Sequence, residues 1–170
     1  MLELGKAGSL GVDKHDVPVV RDGAVVATLH GKRSKQPGTA TIGAQTWLLE
    51  QSSKELTARL PGEPEHAARL RASRVSMWKG TWTAELEGTP VQVQTASHWT
   101  STHRYLIGER VIAETGSTGG WAPRATLTAE PDLPLHHQVF LLWLESTLRG
   151  SADGTAAVFG DGDGGGGGGD

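Results

Sequence analysis

From Val17 to Ala129 the chain repeats one pattern, in which short runs rich in Val, Ile, Thr and Trp are punctuated by glycine-containing turns. Val17-Pro18-Val19-Val20 and Ala24-Val25-Val26-Ala27-Thr28-Leu29 flank Asp22-Gly23. Asp-Gly supplies the two positive-φ positions of a type I′ turn, so this stretch reads as a hairpin. Residues 39–50 form a longer β-prone stretch, and residues 55–60 another that ends at Pro61-Gly62-Glu63-Pro64. Residues 68–78 read both ways, with helix formers first and Val75-Ser76-Met77-Trp78 strand-like. Residues 82–86 and 91–94 alternate apolar and polar positions around Glu87-Gly88, as half-buried strands do. Residues 99–107 and 110–114 turn at Gly108-Glu109, and residues 121–129 form the last strand. About ten short strands at even spacing predict a barrel or sandwich.

The pattern then changes. Asp132 is placed to cap a helix, Pro134 suits its first turn, and Arg149-Gly150 suits its end. Within it, Val139-Phe140-Leu141-Leu142-Trp143-Leu144 is apolar on every face. Such a helix must be buried or lie in a membrane, and six residues fall far short of the ~20 that span a bilayer. Residues 1–149 therefore read as one barrel domain with a helix at 134–149, and residues 150–170 as a disordered Gly/Asp-rich tail that cannot offset its ordering entropy.

This architecture, carried by residues 19–27 and 133–144, resembles the tubby C-terminal-like superfamily, which includes the LURP-one-related proteins and phospholipid scramblases. The resemblance implies an antiparallel β-barrel enclosing a hydrophobic C-terminal helix, and a binding surface for lipid head groups. It spans residues 15–149. The palmitoylation cysteines and transmembrane tail of scramblases have no counterpart in this sequence, so lipid scrambling is not implied.

Composition narrows the chemistry. There is no Cys, which removes disulfides, thiolate metal sites and Cys nucleophiles. The formal charge of −3 gives no nucleic-acid signature. The N-terminus lacks the pattern of a signal peptide, and a cytoplasmic location is expected. Nucleophile-elbow, zincin and P-loop motifs do not occur.

The basic residues stand out most. Lys32, Arg33 and Lys35 form one group, and Arg69, Arg71, Arg74 and Lys79 a second, beside Trp78 and Trp82. Cationic side chains next to indoles suit the phosphates of anionic phospholipid head groups or of single-stranded nucleic acid, the resemblance favours the lipid, and ordinary solvated surface is the plainer reading. His136 and His137, about 100° apart on a helix, are not expected to share an ion. His98 and His103 are expected on opposite strand faces. Glu85 and Glu87 read as a solvated sheet face, and Asp161-Gly162-Asp163-Gly164 as part of the tail. No catalytic residue, metal or cofactor is assigned. The expectation is a non-enzymatic binding or scaffold domain that does not span a membrane. The alternative is an open, lipocalin-like carrier of a small apolar ligand. A hydrolase using Glu85 or Asp132 with a histidine ranks third.

Overall fold

The computed structural model describes residues 1–31, 36–76 and 81–153. Its strands are β1 (Leu2–Leu4), β2 (Val17–Arg21), β3 (Ala24–His30), β4 (Gly38–Ile42), β5 (Gln45–Gln51), β6 (Glu55–Arg59), β7 (Leu70–Ser76), β8 (Thr81–Leu86), β9 (Thr89–Ser97), β10 (Thr102–Ile107), β11 (Arg110–Ser117) and β12 (Ala125–Ala129). One helix, α1 (Leu135–Asp153), follows.

The turn chemistry acts as the sequence requires. Asp22 and Gly23 adopt φ of 51° and 80°, and Glu87 and Gly88 adopt 49° and 88°. These paired positive angles match the twist of the flanking strands. Each strand pairs antiparallel with its sequence neighbour, and β1 pairs with both β2 and β12. The sheet therefore closes and leaves no free edge.

Twelve strands replace the ten expected. Residues 39–50 are two strands, because Gly43 turns the chain between β4 and β5 at a φ of 60°. The other addition is β1, three residues long and too short to show a period. Residues 70–76 of the ambiguous stretch are strand, since Leu70 and Ala72 face the core. The last strand starts only at Ala125, and Trp121 is fully exposed in the connection before it.

The helix lies inside this wall. Residues 137–145 are all buried, and Val139–Leu144 are each at most 3% exposed. An α-helix with side chains is about 10–12 Å across, so the wall must make room for it. Seven strand alanines do so by facing inward: Ala27, Ala40, Ala58, Ala72, Ala84, Ala113 and Ala125. The helix backbone runs nearest β12 and β1. Phe140 and Trp143, packed edge to face at 5.8 Å, fill the side toward β3–β7. A cavity of about 10 Å³ beside them, lined by Leu29, Ala40, Trp47 and Ala58, is at the threshold for one water.

Both helix ends differ from expectation. The Pro134 carbonyl, in the position foreseen for Asp132, accepts the first helical hydrogen bond, from Gln138 N–H at 3.1 Å. Gly150 does not cap the helix, which continues to Asp153. A helical glycine costs about 1 kcal/mol relative to alanine. Tertiary contacts offset that cost here: Arg149 Nη2 donates to the Gly116 carbonyl at 2.6 Å and Nε to Glu145 Oε1 at 2.8 Å. The remainder of the tail, 154–170, lies outside the described residues.

Candidate functional site

In an up-and-down barrel, successive connections emerge at alternate ends, and here the two ends differ in chemistry. The described connections at 5–16, 52–54, 98–101 and 118–124 leave one end. Among the described residues they contain every lysine: Lys6, Lys14 and Lys54. With Arg124, the described residues of these connections include four basic ones against two acidic ones, Asp13 and Asp16. Its connections also carry Leu10 and the fully exposed indoles of Trp99 and Trp121, and exposed Val75 lies close by on β7. Lys32, Arg33, Lys35, Trp78 and Lys79 lie outside the described residues.

The connections at the opposite end hold one basic residue, Arg69. They hold seven acidic ones: Asp22, Glu63, Glu65, Glu87, Glu109, Glu130 and Asp132.

The arginines of the second basic group are spread along β7 from one end to the other. Arg69, at the acidic end, pairs with Glu63 Oε1 at 2.8 Å and Glu87 Oε1 at 3.7 Å. That hydrogen bond, with another from Leu60 N–H, holds the Glu63 carboxyl below its ordinary range. Arg71 points outward and pairs with Glu55 at 3.7 Å. Arg74 is exposed toward the lysine end. Trp82 is turned inward as part of the core, so it does not share the outer face of Arg71.

His136 and His137 converge, against the expectation from helical spacing. Both Nε2 atoms donate to Oε2 of Glu87, at 3.3 and 2.8 Å. The carboxylate reaches them from the β8–β9 turn, which brings it to the first turn of α1. The two rings meet edge on at 4.4 Å, and the Trp47 indole stacks on His136 at 5.1 Å. Burial alone would raise the Glu87 pKa, yet the hydrogen bonds from His137 and His136 leave it lowered. Burial pulls His137 below the usual histidine range, with Glu87 opposing. Glu85 is exposed on the outer face of β8, apart from this cluster.

A second cluster was not anticipated. Glu145 is completely buried inside the barrel. Its Oε2 accepts from His103 Nδ1 at 2.8 Å and from the Tyr105 hydroxyl at 3.3 Å, while Oε1 takes the Arg149 bond. Burial favours the neutral acid, but His103 and Arg149 hold the carboxyl below its ordinary range. Burial, together with the Glu145 charge, pushes Tyr105 well above the normal phenol value. His103 and Tyr105 share a strand face, and Glu145 and Arg149 share a helix face one turn apart. Only the fold joins the two pairs. His98 lies in the β9–β10 connection rather than on a strand face opposite His103.

A third arrangement lies on the outer wall, where the β1–β2 connection covers β3 and β4. His30 Nδ1 donates to Asp16 Oδ2 at 2.7 Å, and Nε2 lies 3.1 Å from the Thr41 hydroxyl. A polar cleft of about 310 Å³ adjoins them. The buried carboxylate fixes the imidazole tautomer, which leaves Nε2 able to accept the threonine proton.

Together these features define a closed meander barrel that encloses its own C-terminal helix, with a lysine- and tryptophan-bearing end opposite an acidic one. Compared with protein-family models, with curated proteins and with solved structures, the chain matches none.

Proposed function

We propose that this protein is a non-enzymatic, tubby-like barrel that binds anionic phospholipid surfaces, such as the cytoplasmic face of a membrane, with its lysine- and tryptophan-bearing end. The observation that carries the reading is the segregation of charge and indole. Among the described residues, every lysine (Lys6, Lys14 and Lys54) and the fully exposed Trp99 and Trp121 belong to connections at one end, and seven acidic residues belong to those at the other. A basic residue near an anionic leaflet contributes about 1 kcal/mol, decaying within a Debye length. Exposed indoles and aliphatic side chains suit the head-group boundary. The acidic far end would be repelled, so the field also orients the molecule. Among the described residues no helix is long and apolar enough to cross a bilayer, which fits docking by connections.

The filled interior favours this reading over the lipocalin-like carrier. Small-molecule pockets usually occupy about 300–1,000 Å³, and the cavity beside α1 measures about 10 Å³.

Co-sedimentation with vesicles tests the proposal. Vesicles containing phosphatidylserine should bind the protein at low salt and blue-shift its tryptophan emission, and neutral vesicles should do so far less. Trp99→Ala with Trp121→Ala should weaken binding at least tenfold, as should Lys6→Glu with Lys14→Glu and Lys54→Glu. Arg69→Ala, at the far end, should leave binding unchanged. Failure of the parent protein to bind anionic vesicles at low salt overturns the proposal.

A further inference from the structure

We infer that Glu87, His136 and His137 form a binding site for a borderline divalent transition-metal ion of the zinc class. The site lies at the barrel end opposite the lysine-bearing one and serves no purpose in the lipid reading.

Geometry comes first. One ligand atom from each of Glu87, His136 and His137 lies within 4.8 Å of the other two. The carboxylate oxygen is 3.3 and 2.8 Å from the two nitrogens. A tetrahedral ion holding N and O ligands at about 2.0–2.1 Å keeps them about 3.3 Å apart. The carboxylate–imidazole spacings therefore need to change by only tenths of an ångström. Neighbouring helical residues reach one point here because the third ligand comes from outside the helix. The β8–β9 turn places Glu87 between the two rings, which stand at 71° to each other.

Outer contacts orient these ligands, as ligand sets require. Trp47 stacks nearly parallel on His136, at 13°. Arg69, itself held by Glu63, lies on the Oε1 side of the Glu87 carboxylate, which leaves Oε2 to face the histidines. His137 is mostly buried, and Glu87 is about a third exposed. Three protein ligands beside solvent leave a fourth position for water or an exchangeable ligand. Two imidazoles and one carboxylate suit zinc, cobalt or nickel, whereas magnesium and calcium prefer all-oxygen shells. On binding, each neutral imidazole presents its Nε2 lone pair to the ion and carries its proton on Nδ1.

The experiment titrates the full-length, untagged protein with Co(II), follows the visible absorption of the bound ion, and then displaces it with Zn(II). One equivalent of saturable binding is expected, with the absorption of a four-coordinate site. Zn(II) should raise the melting temperature and Ca(II) should not. Glu87→Gln and His137→Asn should each weaken binding at least tenfold, and His30→Asn should leave it unchanged. Should His137→Asn fail to fold, Glu87→Gln decides, because that residue lies in an exposed turn. Absence of one-to-one binding, or equal affinity in Glu87→Gln and the parent, overturns the inference. Vesicle binding uses the other end of the barrel, so either proposal can fail without the other.

Discussion

Leu142→Asp is expected to yield no cooperatively folded protein. Leu142 is wholly buried inside the barrel, in one core cluster with the inward-facing strand residues. The change removes a buried leucine, worth about 1.5–3 kcal/mol in transfer free energy. It also places an unpaired carboxylate where the effective penalty is several kcal/mol. Together these approach or exceed the ~5–15 kcal/mol by which domains are stable. Leu142→Ala, by contrast, should cost about 2–5 kcal/mol and still fold. Circular dichroism and urea unfolding of the two variants distinguish them. A soluble Leu142→Asp protein with a single sharp unfolding transition would mean that the helix is not enclosed.

The second large effect concerns Glu145. Glu145→Ala removes the buried carboxylate that His103, Tyr105 and Arg149 share, leaving Arg149 its bond to the Gly116 carbonyl and Tyr105 its longer one to the Leu141 carbonyl. Breaking a buried charge pair by removing one partner typically costs about 3–5 kcal/mol, and urea unfolding at pH 7 should show a loss of that size. Glu145→Gln keeps the shape and should cost less.

The network also sets a pH dependence on each side. The folded Glu145 carboxyl is lowered from its ordinary 4.5. Its stabilising contribution is therefore complete above that value and is lost as pH falls through the lower folded value. The folded Tyr105 hydroxyl is raised well above 10.0. Its contribution is complete below 10.0 and is lost as pH climbs from there toward the folded value. The parent should lose stability with a steeper slope than Glu145→Gln below pH 4.5, and with a steeper slope than Tyr105→Phe above pH 10. Identical profiles would show that the network does not stabilise the fold.

What could be read from the chain follows the range of the interactions involved. Asp22-Gly23 and Glu87-Gly88 specify their hairpins locally, because a type I′ turn needs two positive φ angles in sequence. The run from Val139 to Leu144 demands burial on every face whatever surrounds it. From these two facts come the mainly β class and the burial of the helix. Short or merged elements escape such reading. β1 has too few residues for a period, and the β4–β5 turn carries Gly43-Ala44 rather than a strong turn pair.

Charge alone did not locate the sites. Arg69, Arg71 and Arg74 are neighbours in sequence, yet the strand carries them across the barrel, and Arg69 and Arg71 meet carboxylates supplied by other elements. The lysines behave oppositely. Lys6, Lys14 and Lys54 are far apart in sequence and share one end of the barrel only because alternate connections emerge there.

The residues alone specify a mainly β chain with one helix that must be buried on every face, since turn geometry and hydrophobic burial act within a few residues of their origin. Tertiary structure alone decided which polar groups meet. Glu87 with His136 and His137, and Glu145 with His103 and Tyr105, are pairings across about 40–50 positions. Such pairings depend on closure and register, which no local pattern encodes.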